Sequence, residues 1–142
     1  MLPKDVEEFM ALDYLNSIDP TLIYLASPFA HPSAAVREAR LEAVRHVCGK
    51  MIDEGRIVLS PLVYAGELAQ RGFHAPQGWY AWDLQFLARS DELLVLQLPG
   101  WEESRGVLVE IAAAQARNIP IRLMPLEDAK LPAEILEVLC EG

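Results

Sequence analysis

Four short, nearly unbroken apolar runs constrain this chain more than anything else in it: T-L-I-Y-L-A at 21–26, I-V-L at 57–59, E-L-L-V-L-Q-L at 92–98 and P-I-R-L-M at 120–124. A strand that is apolar on both faces must be covered on both sides, which is the condition of a strand inside a parallel sheet. The runs alternate with helix-length stretches. That alternation predicts an α/β fold of three layers, with a doubly wound, mostly parallel sheet of four or five strands (flavodoxin- or Rossmann-like) and right-handed crossovers.

The helices are marked by their ends. Ser33 is an N-cap candidate for a helix over Ala34 to Glu54, closed by Gly55, with Val36, Ala39 or Arg40, Ala43, Val47 and Met51 facing the core. Leu62 to Arg71 reads as a short helical turn that stops at Gly72. Further helices are predicted over Trp79 to Arg89, from near Ser104 onwards, and over Pro132 to Leu139. Met1 to Ser17, with Val6, Phe9, Met10 and Leu12 apolar, reads as an amphipathic helix ended by Pro20 and suited to an oligomer arm. A single domain over 1–142 follows, with an N-terminal arm at 1–20, a core at 21–124 and a C-terminal helix at 125–142.

A length of 142 residues, 52% hydrophobic and 23% charged, suffices for one buried core. The net charge of −9 argues against nucleic acid or an anionic membrane as partner. It says little about a small anion, which local amides can bind. No apolar run approaches the roughly 20 residues of a membrane span, and the first residues lack a signal pattern, so a cytoplasmic location is expected. Cys48 and Cys140 stand alone, without metal-ligand spacing. Neither a disulfide scaffold, a metal nor a cofactor is expected.

In an open α/β sheet, ligands bind at the carboxyl ends of the strands, where strand order reverses. Loops at Ala26 to Ser33, Ser60 to Gly66 and Pro99 to Gly106 should converge there. Two carboxylates draw notice. Glu110 is the single acid in G-V-L-V-E-I-A-A-A, and Asp83 sits between Trp82 and Leu84, near Trp79, Tyr80 and Phe86. Acids are rarely buried without a partner because desolvation costs several kcal/mol. Each is therefore either solvated or a working group. Asp83 has the further option of a surface acid favouring a helix dipole, and it must reach the site from a helix rather than from a strand end.

Ser104-Arg105-Gly106 is either a plain helix cap or an anion site built on free amides, with Gly106 allowing close approach. Trp79, Tyr80, Trp82 and Trp101 either stack a planar base or simply pack. Tyr24 is either core or within reach of a ligand. Arg37, Arg40 and Arg105 are possible phosphate contacts, Asp91 reads as structural, and His31, His46 and His74 as solvated bystanders. No dinucleotide, P-loop or serine-hydrolase motif is present.

Three segments together carry a resemblance: I-Y-L-A-S-P-F at 23–29, W-D-L-Q-F-L-A-R-S-D at 82–91 and E-S-R-G-V-L-V-E-I-A-A-A at 103–114. In order and spacing they resemble the nucleoside 2-deoxyribosyltransferase-like family, which includes deoxynucleoside 5′-monophosphate N-glycosidases. The resemblance covers about residues 22–124. It implies that Glu110 is the nucleophile at the anomeric carbon and that Asp83 assists base departure or orients the nucleophile. Tyr24 would stand beside the nucleophile, and Ser104 would contact the sugar or its phosphate. Ser27, Pro28, Phe29, Trp82, Arg105 and Gly106 complete the substrate-binding set that it implies. A nucleoside or nucleotide is the expected small-molecule partner, in a homo-oligomer that is a dimer or larger.

The expected reaction is cleavage of an N-glycosidic bond, with a non-catalytic nucleotide- or nucleoside-binding protein as the alternative. A retaining displacement needs one ionised carboxylate and one proton source, so two acids suit it. The chain departs from the family pattern in three ways. Ser27-Pro28 stands where many members have glycine. The end L-C-E-G lacks the asparagine that a neighbouring subunit contributes in transferases, which favours hydrolysis over transfer, or a different ligand. The stretch Tyr64 to Gly78 and W-E-E-S-R at 101–105 resemble a poorly characterised subgroup.

Overall fold

The computed structural model describes Lys4 and residues 18–141; the helix expected over Met1 to Ser17 lies outside the described residues. Four strands form one all-parallel sheet: β1 (Leu22–Ala26), β2 (Ile57–Leu59), β3 (Glu92–Leu96) and β4 (Ile121–Met124), in the order β2-β1-β3-β4. Five α-helices pack around it: α1 (Ala34–Asp53), α2 (Pro61–Gln70), α3 (Trp79–Leu87), α4 (Arg105–Ala116) and α5 (Ala133–Glu141). The expected three-layer, doubly wound α/β architecture is what the chain adopts.

Alternation along the central strands divides the core in two. Ile23 and Leu25 of β1, with Leu94 and Leu96 of β3, face one side, where α1 and α5 cover them with Val44, Val47 and Leu139. Tyr24 and Ala26, with Leu93 and Val95, face the other side, against Leu87 of α3 and Val107 and Ala114 of α4. Register pairs Tyr24 with Leu93 and Ala26 with Val95, so the two strands offer each face matched rows. Helix α1 buries more than the expected stripe. Leu41, Val44 and Cys48 are buried beside Val36, Ala43, Val47 and Met51, because α1 packs against α5 and α2 as well as the sheet.

Serine caps start three helices. Ser33, Ser60 and Ser104 each accept a hydrogen bond from the backbone amide three residues on, at Val36, Val63 and Val107. This satisfies amides that a helix leaves free at its start. Ser60 with Pro61 at the first helical position makes 61–70 a full helix rather than a turn. It also converts part of the expected Ser60–Gly66 loop into helix.

Two side chains fasten the strand ends. At the amino end, the Leu22 amide donates to Asp91 Oδ2 at 2.8 Å, and the Asp91 amide returns a bond to the Leu22 carbonyl. Asp91 is therefore structural, as its place before β3 suggests. At the carboxyl end, buried Arg40 donates to the Ala30 carbonyl at 2.8 Å and the Pro99 carbonyl at 3.0 Å. It thereby joins the loop after β1 to the loop after β3. Gly100 makes room for this. Its φ is +90°, and a Cβ there would lie 2.6 Å from Arg40 Nη2.

We expect Gly100→Ala to lower unfolding free energy by about 1–3 kcal/mol, from a strained φ and a displaced guanidinium. Chemical denaturation checks this. Asp91→Ala should cost about 1–2 kcal/mol and speed exchange of the Leu22 amide in hydrogen-exchange NMR.

Candidate functional site

The reversal of strand order falls between β1 and β3, and a cleft of about 620 Å³ opens there at the carboxyl end of β1. This is where an open α/β sheet binds ligands. Leu25 and Ala26 form part of its floor, and Ser27 and Phe29 from the following loop one lip. Asp83 enters from α3, with Trp79 and Tyr80 one turn earlier. Ser104, Arg105 and Gly106 come from the start of α4, and Glu110 from one turn further along it. The opposite wall is α2.

The helical offsets explain how two distant acids meet. Gly106 and Glu110 are four residues apart on α4 and share a face. Trp79, Tyr80 and Asp83 share a face of α3 in the same way, and α3 packs beside α4. At Gly106 the absence of a side chain matters: the Tyr80 ring lies 3.5 Å from where its Cβ would be. Tyr80 thus covers the start of α4 while about half exposed, at 51%.

Below Glu110 lies Tyr24, 0% exposed, on the sheet face covered by α3 and α4. Burial, together with the nearby Glu110 and Asp83 carboxylates, pushes its phenol far above the ordinary range. Tyr24 therefore stays protonated and has a hydroxyl to donate. That hydroxyl is near Glu110 but outside hydrogen-bonding geometry, and it has no bonded partner among the described residues. Ser27 Oγ and Asp83 Oδ1 are likewise buried without a partner there. Buried polar atoms are normally paired. Ser27 and Asp83 line the cleft, whereas Tyr24 lies beneath Glu110 and does not line it, so two of the three unpaired oxygens belong to cleft residues.

The acids are strongly perturbed. Burial raises Glu110 to about 7; the Tyr24 hydroxyl acts in the opposite direction, and the charge of Asp83 adds to the rise. Burial raises Asp83 to about 6. Both effects follow from removing carboxylates from water next to apolar walls. No group of three or more histidine, cysteine, aspartate or glutamate side chains is arranged to hold a metal among the described residues.

Not every residue expected at the site is found there. Pro28 is fully buried beneath its loop and Trp82 does not line the cleft. Trp82 instead belongs to an aromatic group, stacked on Tyr64 at 5.9 Å, edge-on to Trp79 at 5.4 Å and tilted on Phe86 at 4.6 Å. Trp101 packs beside the β1–β3 core. Arg40 is committed to two loop carbonyls, and Arg37 to those of His31 and Pro32. Of the three candidate arginines, only Arg105 lines the cleft. The segment Ser60–Gly66 reaches the site as expected, but as the start of α2 rather than as a loop, and Ala69 and Gln70 extend the wall. Leu62, Ala65, Gly66 and Ala69 have the i, i+3, i+4, i+7 spacing of one helical face.

The raised carboxyl values have a consequence for stability. Both folded values lie above the ordinary values of 4.5 for Glu110 and 3.8 for Asp83. The folded protein thus binds more protons than the unfolded chain between about pH 4 and 7, and stability falls as pH rises through that window. We expect Glu110→Gln to melt above the wild type at pH 8, by on the order of 2 kcal/mol in stability, and level with it at pH 4. Thermal melts at both pH values check this.

No curated protein matches the chain. A family model described as a domain of unknown function (DUF1937) matches residues 21–126. That span runs from β1 through β4 and contains every residue that lines the cleft. The chain belongs to the DUF1937 family.

Proposed function

We propose that this protein cleaves the N-glycosidic bond of a nucleoside or nucleoside 5′-monophosphate, with Glu110 as nucleophile and Asp83 as acid. One observation carries the reading: two desolvated carboxylates line one end of a cleft of ligand size, with a protonated, unpartnered tyrosine hydroxyl buried beneath one of them. A surface acid pair needs none of this burial, and a structural pair would be satisfied internally. The resemblance of the three segments to the nucleoside 2-deoxyribosyltransferase-like family supports the same assignment.

The chemistry follows from the environments. With one proton shared between the two acids, a carboxylate oxygen of Glu110 attacks C1′ of the sugar. The C1′–N bond breaks, its electron pair stays on the base nitrogen, and Asp83 delivers the proton that nitrogen needs. Positive charge developing at C1′ favours the ionised form of Glu110 and leaves the shared proton on Asp83. The Tyr24 hydroxyl, unpartnered in the free protein, is close enough to Glu110 to donate to its carboxylate once a small shift during the reaction brings the two together. In the second step, water attacks C1′ of the glycosyl ester and gives a proton to the Asp83 carboxylate. Glu110 then departs as a carboxylate, and configuration is retained overall. Ser27 Oγ and the amides at the start of α4 face the sugar side, and Tyr80 offers its ring to a planar base.

The direct test is chromatographic detection of free base from a panel of nucleosides and their 5′-monophosphates. We expect release by the wild type, a loss of roughly 10³-fold in Glu110→Gln, and unchanged folding by circular dichroism. A folded wild type that binds members of the panel and releases no base would support a binding protein on the same fold. The pH profile provides a second check. Below about 6 both acids are protonated and no nucleophile is present; above about 7 both are ionised and no proton is available. We expect kcat/KM to peak between these values and to fall on both sides. Asp83→Asn should remove the alkaline limb while lowering the maximum.

A further inference from the structure

Helices α2 and α3 pose a packing problem that the rest of the fold does not. They read P-L-V-Y-A-G-E-L-A-Q and W-Y-A-W-D-L-Q-F-L, each with a single charged residue. A helix that is apolar around most of its circumference belongs inside a protein. Yet among the described residues Ala65 alone is buried on α2, and Leu87 alone on α3.

The cleft accounts for one side of α2 only. At about 100° per residue, Tyr64 and Leu68 turn away from the face that Leu62, Ala65, Gly66 and Ala69 present to the cleft. Tyr64 is 57% exposed, stacks on Trp82 of α3 and has the Phe86 ring at 6.4 Å. Leu68 stands four residues on, and its carbonyl accepts the amide of Phe73, which is 62% exposed. Tyr64, Leu68, Phe73 and Phe86 thus lie together on the outer side of the α2–α3 pair. Their three rings alone leave roughly 300 Å² in water, taking about 200 Å² for a fully exposed ring residue. A contiguous apolar patch of a few hundred Å² marks an interaction surface. With Leu68 and a polar rim it approaches the roughly 800 Å² that each partner buries in a standard interface.

Charge identifies the occupant. Residues 60–90 hold two acids, Glu67 and Asp83, and two bases, Arg71 and Arg89, so they sum to zero and the whole net charge of −9 lies elsewhere. Glu67 and Arg71 also pair with each other at 2.8 Å. Two copies of so acidic a chain repel one another through their other surfaces. Here they meet without that repulsion. A foreign partner drawn in by charge would be basic and would settle on the acidic surfaces instead.

We propose that the outer face of α2 and α3, centred on Tyr64, is an isologous interface with a second copy of this chain. The same patch meets itself across a two-fold axis, with Tyr64 and Phe73 as its anchors. The consequence for the cleft is mechanical. Helix α2 is the wall opposite Glu110, and the second copy covers the side of that wall which the cleft leaves bare. This assembly stands whether or not the cleft cleaves glycosides.

Sedimentation velocity of the full chain from about 1 to 100 µM reads the assembly. We expect the wild type to be a dimer over most of that range. Tyr64→Glu and Phe73→Glu each enter a two-fold interface twice and should weaken the dimer by about thirtyfold or more. Leu123→Glu, at a half-exposed position on β4, should leave it unchanged. Tyr64→Glu gives up the stack on Trp82, so circular dichroism must show its fold retained. If it unfolds, Phe73→Glu decides. A dimer unmoved by Phe73→Glu, or weakened equally by Leu123→Glu, overturns the interface. So does a wild type that stays monomeric, and hydroxyl-radical labelling then names what covers the face. Tyr64 and Phe73 shielded in the monomer mean another segment of this chain; freely labelled, they mean a different protein.

Discussion

The central constraint on this molecule is the cost of holding Glu110 and Asp83 out of water. A carboxylate moved against apolar walls resists ionisation, and both acids lie well above their ordinary range for that reason. Selection for stability alone would place amides or apolar side chains at these positions. Their retention beside a tyrosine hydroxyl that bonds to nothing is a local conflict of the kind that functional sites keep. Burial brings both acids toward neutrality, Glu110 to about 7 and Asp83 to about 6.

The scaffold is built to keep that conflict local. Tyr24 cannot turn away from Glu110, because β1 is one of the two inner strands and its alternation fixes which face each residue takes. The Arg40 guanidinium ties the loops after β1 and β3 across the same end of the sheet, and Gly100 exists in a conformation that lets it do so. Serine caps fix where α2 and α4 begin. The position of Glu110 one turn into α4 is thus set by Ser104, and that of the α2 wall by Ser60. Oxygens of Tyr24, Ser27 and Asp83 are left without a partner at this end of the sheet among the described residues, as is Arg40 Nε.

Much of this was legible in the sequence because it depends on local pattern. Apolar runs with two-sided burial give the parallel sheet, and an acid alone in G-V-L-V-E-I-A-A-A announces a buried carboxylate. The structure of Asp91 and the cap at Ser33 also follow from local chemistry. What escaped depended on which way a helix face turns. Trp82 and Asp83 are adjacent, so on a helix they diverge by about 100°; one lines the cleft and the other packs on Tyr64 and Phe86. Pro28, between two lining residues, is fully buried and does not line the cleft. Ser60–Gly66 was legible as part of the site but not as a helical wall reaching Ala69, because Ala65, Gly66 and Ala69 bear no chemistry. Arg40 was ambiguous because a buried arginine and a phosphate-binding one share a sequence signature.

The most direct test of the nucleophile is to trap it. A 2′-deoxy-2′-fluoro nucleoside slows hydrolysis of a glycosyl ester by destabilising positive charge at C1′, and tryptic mapping then locates the sugar. The peptide 106–117 contains Glu110 as its only acid, and the peptide 72–89 contains Asp83 as its only acid. We expect the added mass of the fluorosugar on 106–117, and none on that peptide in Glu110→Gln. An adduct on 72–89, or base release from the unfluorinated nucleoside with no adduct on either peptide, would contradict the role given to Glu110.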